Sequence, residues 1–157
     1  MAMRSQPLTT LDLSENPVAG EHAVALCKYL SSPRSPRHLV ANRLVADALS
    51  VERVVAAFAL APRETLCSMS LRNLPIAVRV DGTLSALAGS DVLRAVDLSG
   101  TPLGAAGLAS LCAAVRDRLH FPALVSLRVD GTLQGGGDAD GAVSRALAQL
   151  VREGKLR

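Results

Sequence analysis

Aromatic side chains are almost absent from this chain: 157 residues include no Trp, one Tyr and two Phe. That excludes a core built round bulky rings, yet 49% of the residues are hydrophobic. Apolar area of that kind suits thin layers of Leu, Val and Ala. The same scarcity argues against nucleic acid, which is bound by stacking bases on rings and by clustered positive charge. Here the net charge of +3 rests on 15 scattered Arg and only two Lys, Lys28 and Lys155. Long apolar runs are also lacking, and no stretch approaches the roughly 18 to 20 consecutive apolar residues that span a bilayer. The opening Met-Ala-Met-Arg-Ser-Gln-Pro carries no signal-peptide apolar region, and no Asn-x-Ser/Thr sequon occurs. An intracellular, cytoplasmic protein with no membrane or nucleic-acid partner is expected. Of three cysteines, Cys27 and Cys112 fall in equivalent helical patterns of different units, which predicts reduced structural thiols.

Catalytic groupings are missing as well. His22, His38 and His120 lie far apart, with no partner at metal or triad spacing. Asp138-x-Asp140-Gly141 opens like a calcium loop, but Gln149 stands where the bidentate Glu belongs. Gly135 to Gly137 lacks the Lys-Ser/Thr of a phosphate loop, and Gly104-Ala-Ala-Gly107 opens a helix. The expectation is a protein that is not an enzyme and has no cofactor or metal.

What the chain does contain is repetition. Four stretches fit one template: Leu8-x-x-Leu11-x-Leu13-x-x-Asn16-x-Val18, Leu66-x-x-Met69-x-Leu71-x-x-Leu74-x-Ile76, Leu93-x-x-Val96-x-Leu98-x-x-Thr101-x-Leu103 and Leu124-x-x-Leu127-x-Val129-x-x-Thr132. Alternation at period two sends the leucines to one face of a short strand. Helical patterns follow, at Val24, Leu26, Cys27 and Leu30 and at Leu108, Leu111, Cys112 and Val115. Further helices are read at Val51, Val54, Val55 and Phe58, with Ser50 as N-cap, from Ala77 to Leu87, and over 141–153 on the stripe Val143, Leu147, Leu150 and Val151. A degenerate unit aligns Leu39, Asn42 and Leu44 with Leu13, Asn16 and Val18. Five units then begin near 8, 34, 66, 93 and 124, spaced alternately short and long.

This pattern is the leucine-rich repeat signature, and its alternation with a full helix per unit resembles the ribonuclease-inhibitor-like class. The resemblance covers about residues 8 to 152. It implies an α/β solenoid, one domain over 1–157, with parallel strands on the concave face of a horseshoe and helices on the convex face. The asparagine position reads Asn16 and Asn42, then Leu74, Thr101 and Thr132. Because Leu cannot satisfy turn backbone groups, irregularity is expected around Arg72 to Ile76. The hexapeptide Arg-Val-Asp-Gly-Thr-Leu occurs at 79–84 and 128–133, where different registers place it at a helix and at a strand end.

Function is expected to lie in the surface. In register, the concave face presents one row of Asp12, His38, Ser70, Asp97 and Arg128, a second of Ser14, Val40, Arg72, Ser99 and Asp130, and a third of Thr10, Pro36, Ser68, Ala95 and Ser126. The candidate protein-binding residues are Asp12, Ser14, His38, Ser70, Arg72, Asp97, Ser99, Arg128 and Asp130, acting by charge steering rather than aromatic anchors. Ser31 to His38 reads as a proline-broken basic loop in which Ser32 and Ser35 are candidate phosphorylation sites. Only seven residues precede Leu8, so the edge at Thr10 to Leu13 calls for cover by a protein partner or by further repeats of a longer array. These features point to a non-enzymatic scaffold module of a larger intracellular assembly, of the cytoskeletal or axonemal kind. The alternative is a regulatory repeat protein that inhibits or activates an enzyme or small GTPase.

Overall fold

A computed structural model describes residues 8–59, 65–74, 90–116 and 122–131, together with 145, 148–150 and 152 near the C-terminus. The inward Leu-x-Leu pattern produces five three-residue strands: β1 (Thr10–Asp12), β2 (His38–Val40), β3 (Ser68–Ser70), β4 (Ala95–Asp97) and β5 (Ser126–Arg128). They form one open parallel sheet in sequential order. Three helices are described: α1 (Gly20–Leu30), α2 (Ala48–Ala59) and α3 (Gly104–Arg116). A described helix follows the strand in the first, second and fourth coils, and α1 packs on α2 as β1 pairs with β2. The fold is therefore the expected α/β solenoid. The helical pattern read from Ala77 to Leu87 lies outside the described residues, as do the first copy of the repeated hexapeptide and the Gly135–Gly141 stretch.

Pairing corrects the second unit. Leu11 pairs with Leu39 and Thr10 with His38, so Leu13 corresponds to Ala41 and Asn16 to Leu44. That unit reads Pro36-x-x-Leu39-x-Ala41-x-x-Leu44-x-Ala46 and starts at 36 rather than 34. Successive paired strand residues then lie 28, 30, 27 and 31 residues apart, which keeps the short-long alternation. The physical reason is that the inward layer accepts Pro36 and Ala41 where larger side chains stand elsewhere, and both are buried. The segment read as a loop through His38 ends one residue sooner, because His38 opens β2.

The core is a stack of thin layers. Leu39, Met69, Val96 and Leu127 point inward from the strands, and Leu30, Val51, Val54, Leu108, Leu111 and Val115 meet them from the helices. Each fully buried side chain of this size contributes about 1.5–3 kcal/mol. In α1 the buried stripe runs Ala23, Leu26, Cys27 and Leu30, whereas Val24 is 46% exposed and belongs to the outer face. The N-cap of α2 is Asp47 rather than Ser50: its Oδ1 accepts the Ser50 N–H at 2.8 Å and its Oδ2 accepts the Ser50 hydroxyl at 2.7 Å. Of the expected α2 stripe, Val51 and Val54 are buried, and the side chains of Val55 and Phe58 lie outside the described part. Toward the C-terminus Leu150 is buried in a helical turn, and Gln149 accepts a hydrogen bond from Arg116 of α3 at 3.0 Å.

Each strand runs into the same turn. At the equivalent position of the five coils the backbone is left-handed: Glu15 (φ 63°), Arg43 (φ 51°), Asn73 (φ 52°), Gly100 (φ 71°) and Gly131 (φ 68°). The amide of each of the first four donates to the next coil, in Glu15 N–H to Asn42 O (2.9 Å), Arg43 to Arg72 O (2.8 Å), Asn73 to Ser99 O (2.9 Å) and Gly100 to Asp130 O (2.6 Å). The turns thus extend the sheet by one further rung. Contrary to expectation, the third coil follows this turn without irregularity through Leu74. Thr101 supplies what Leu74 lacks: its hydroxyl donates to Leu71 O at 2.6 Å and accepts the Leu74 N–H at 3.1 Å.

Candidate functional site

The outward residues of the strands and turns form the concave surface. Corrected for register, the rows are Thr10, His38, Ser68, Ala95 and Ser126; then Asp12, Val40, Ser70, Asp97 and Arg128; then Ser14, Asn42, Arg72, Ser99 and Asp130. The structure brings Asp12, Ser70, Asp97 and Arg128 into one row and Ser14, Arg72, Ser99 and Asp130 into the next, as expected, although Ser99 is buried. His38 moves out of the Asp12 row, and its Nδ1 lies 2.8 Å from Ser68 Oγ of the adjacent strand. Asn42, which the mistaken register had placed at an inward turn position, takes the place of Val40 beside Ser14 and Arg72, and Val40 moves to the Asp12 row.

Two Asp side chains brace their own turns. Asp12 Oδ1 accepts the Ser14 N–H and Asp97 Oδ1 the Ser99 N–H, each at 2.9 Å. Bonding from the Ser14 hydroxyl, and then from its N–H, holds the Asp12 carboxyl below the usual carboxylate range. Asn42 braces the neighbouring coil instead. Its Oδ1 accepts both the Ser70 hydroxyl (2.7 Å) and the Arg72 N–H (2.9 Å), while its own N–H donates to Ser14 Oγ (3.1 Å). Two donors on one amide oxygen settle the orientation of the side chain. The inter-coil amide expected two residues further along is therefore found on the concave rim, and the Asn16 side chain bonds locally, to Ser14 O, while its carbonyl accepts the Val45 N–H of the next coil.

Charge along this rim alternates. Arg43 Nη1 donates to Glu15 Oε1 at 3.2 Å, with both side chains about two-thirds exposed. Arg72 Nε lies 3.8 Å from Asp97 Oδ2, a loose pair in which Arg72 stays half-exposed. Between them is a shallow groove of about 270 Å³ lined by Ser14, Glu15, Asn42, Arg43, Arg72 and Asn73, two adjacent rows across three coils. An exposed pair such as Glu15–Arg43 is worth about 0–1 kcal/mol. A side chain on a left-handed residue costs roughly 1–2 kcal/mol. Glycine, present at this turn position in the fourth and fifth coils, avoids that cost.

The two candidate phosphorylation sites of the Ser-Pro loop differ in access: Ser32 is half-buried and Ser35 is buried. Ser35 is 3% exposed, and its hydroxyl has no hydrogen-bond partner among the described residues. Burial removes the access that a kinase needs. The Ser32 hydroxyl donates to Tyr29 O at 2.6 Å and accepts the Arg34 N–H at 3.2 Å, which ties it to the end of α1. Cys27, Cys67 and Cys112 are free thiols. Burial pushes the Cys27 and Cys112 thiols up, against the opposing charges of Arg53 and Arg116, which favours the protonated thiol. Among the described residues no group of three or more His, Cys, Asp or Glu side chains could hold a metal ion. Nor is any described helix long and apolar enough to cross a membrane.

A family model described as "Leucine Rich repeat" matches residues 4–27 and 91–112, which are the strand and helix of the first coil and of the fourth. With those two matches and the five-coil parallel sheet, the chain is a leucine-rich repeat protein. No individual curated protein matches it. Leucine-rich repeats commonly mediate protein–protein interaction, generally without catalysis.

Proposed function

We propose that this chain is a non-enzymatic interaction module whose concave face docks a protein partner, and that it serves as a scaffold component of a larger intracellular assembly of the cytoskeletal or axonemal kind. The observation that carries this reading is the polar, charged surface of the strands, in which Asp12, Asp97, Arg72 and Arg128 stand over a core that does not depend on them. Mixed charge without aromatic anchors favours steering and register over tight burial. The first coil offers a second contact: Leu8 is 52% exposed and Leu11 and Leu13 are half-buried, whereas Leu39, Ala41, Met69 and Leu71 are buried. The reading is tested by titration calorimetry with a partner recovered from the native cell. The double variant Asp97→Ala/Arg128→Ala is expected to weaken binding at least about tenfold, and Lys28→Ala on the outer helix α1 to leave it unchanged. Loss of binding with Lys28→Ala alone would move the interface to the convex side.

A further inference from the structure

The groove between the turns of the first three coils has features that the fold alone does not require. Its lining combines two guanidinium groups, two amide side chains and a single carboxylate, Glu15. Arg43 holds a left-handed turn position filled by glycine two and three coils later, and the exposed ion pair it makes is too weak to be the reason. Asn42 adds an independent observation. Because its oxygen is occupied by Ser70 and Arg72, its NH2 group is the free end, and no acceptor for it occurs among the described residues. That NH2 group is not buried, so it is open to solvent and free to donate to a ligand oxygen.

We infer that this groove receives one carboxylate side chain, an Asp or Glu on a loop of the protein partner, held by the guanidinium groups of Arg43 and Arg72 and by the NH2 group of Asn42. The inference rests on the interaction reading above and adds the chemistry of one contact. Guanidinium forks match the planar carboxylate, and five N–H donors per Arg leave several available after Glu15 and Asp97 have each taken a share. The lining carries two positive charges and one negative, and Asp97, 3.8 Å from Arg72, offsets the excess, so no surplus positive charge remains to favour a phosphate dianion. Glu15 acts as the limiting charge at the edge of the groove.

The test is a titration of the isotope-labelled full chain, followed by NMR, with three probes: N-acetyl-glutamate N-methylamide, its glutamine analogue and inorganic phosphate. The glutamate probe is expected to move the signals of Asn42, including its side-chain NH2, with those of Arg43, Arg72 and Asn73, saturating on the order of millimolar as suits one contact of a larger interface. Arg43→Gly should weaken that binding about tenfold or more while leaving the denaturation midpoint equal or higher, since glycine suits the turn. Glu15→Gln should tighten it. Equal response to the glutamine analogue, tighter binding of phosphate, or undiminished binding by Arg43→Gly would overturn the inference. If the probe fails but the Asp97→Ala/Arg128→Ala protein still loses its partner, the groove assignment falls and the interaction reading stands. If partner binding is indifferent to both groove and row, both fall.

Discussion

At Gly100 the chain turns left-handed, and a Cβ there would run into the side chain of Asn73 on the preceding coil. Two penalties therefore meet at one atom, the conformational cost of a positive φ and a clash between layers. Gly100→Ala is expected to lose about 2–3 kcal/mol of stability, whereas Gly104→Ala, with the same sign of φ but open space round it, should lose only about 1 kcal/mol. Urea denaturation of the two variants checks the order. A second residue-scale expectation concerns pH. The Ser50 hydroxyl, and then its N–H, hold the Asp47 carboxyl below its usual range. A depressed carboxyl contributes stability above its unfolded pKa of about 3.9, and that contribution is lost as pH falls through the lower folded value. Asp47→Ala should therefore have a lower denaturation midpoint than the parent at pH 7, with the gap closing as both are acidified. A gap that stayed constant into strong acid would show that the carboxylate is not the cap.

Among the elements, the turns join the coils as much as the strands do. Thr101 is fully buried and bonds two backbone groups of the coil before it. Removing its hydroxyl in Thr101→Val leaves Leu71 O and Leu74 N without that partner, a loss of about 1–3 kcal/mol, while Thr101→Ser keeps the oxygen and should lose less. Thermal unfolding of the pair separates the hydrogen bonds from the packing of the methyl group. Strands one, three, four and five were legible from Leu-x-Leu alternation, because their inward positions carry large apolar side chains. The second was misplaced by two residues, since Asn42 and Leu44 imitate the Asn-x-Val of the first unit while the true inward pair includes the small Ala41. The left-handed position was the overlooked signal: Gly100, Gly131 and Asn73 are turn-forming residues at one offset from their strands, and extending that offset to the second coil lands on Arg43. The residue types of Glu15 and Arg43 do not themselves mark a left-handed turn, and the burial of Ser35 follows from how the coils stack.

For the whole molecule, the layered core holds the coils together, and the outward rows are the surface that we propose meets a partner. Leu, Val, Ala and Met fill the interior, and the concave residues make mainly short turn-bracing bonds, so they can vary without dismantling the core. That freedom is what lets a solenoid present a long surface from short repeats. The candidate residues were legible in kind, since eight of the nine concave positions kept their rows, but the groove was not, because it depends on three turns lying side by side. Whether a protein partner sits on this surface is read from crosslinking mass spectrometry on the tagged chain purified from its native cell. Stable crosslinks to a protein neighbour are expected from engineered lysines at Ser14 and Asp130, with few from Lys28 on the outer helix α1. A chain recovered alone, or crosslinked only through its convex helices, would contradict the proposed interface.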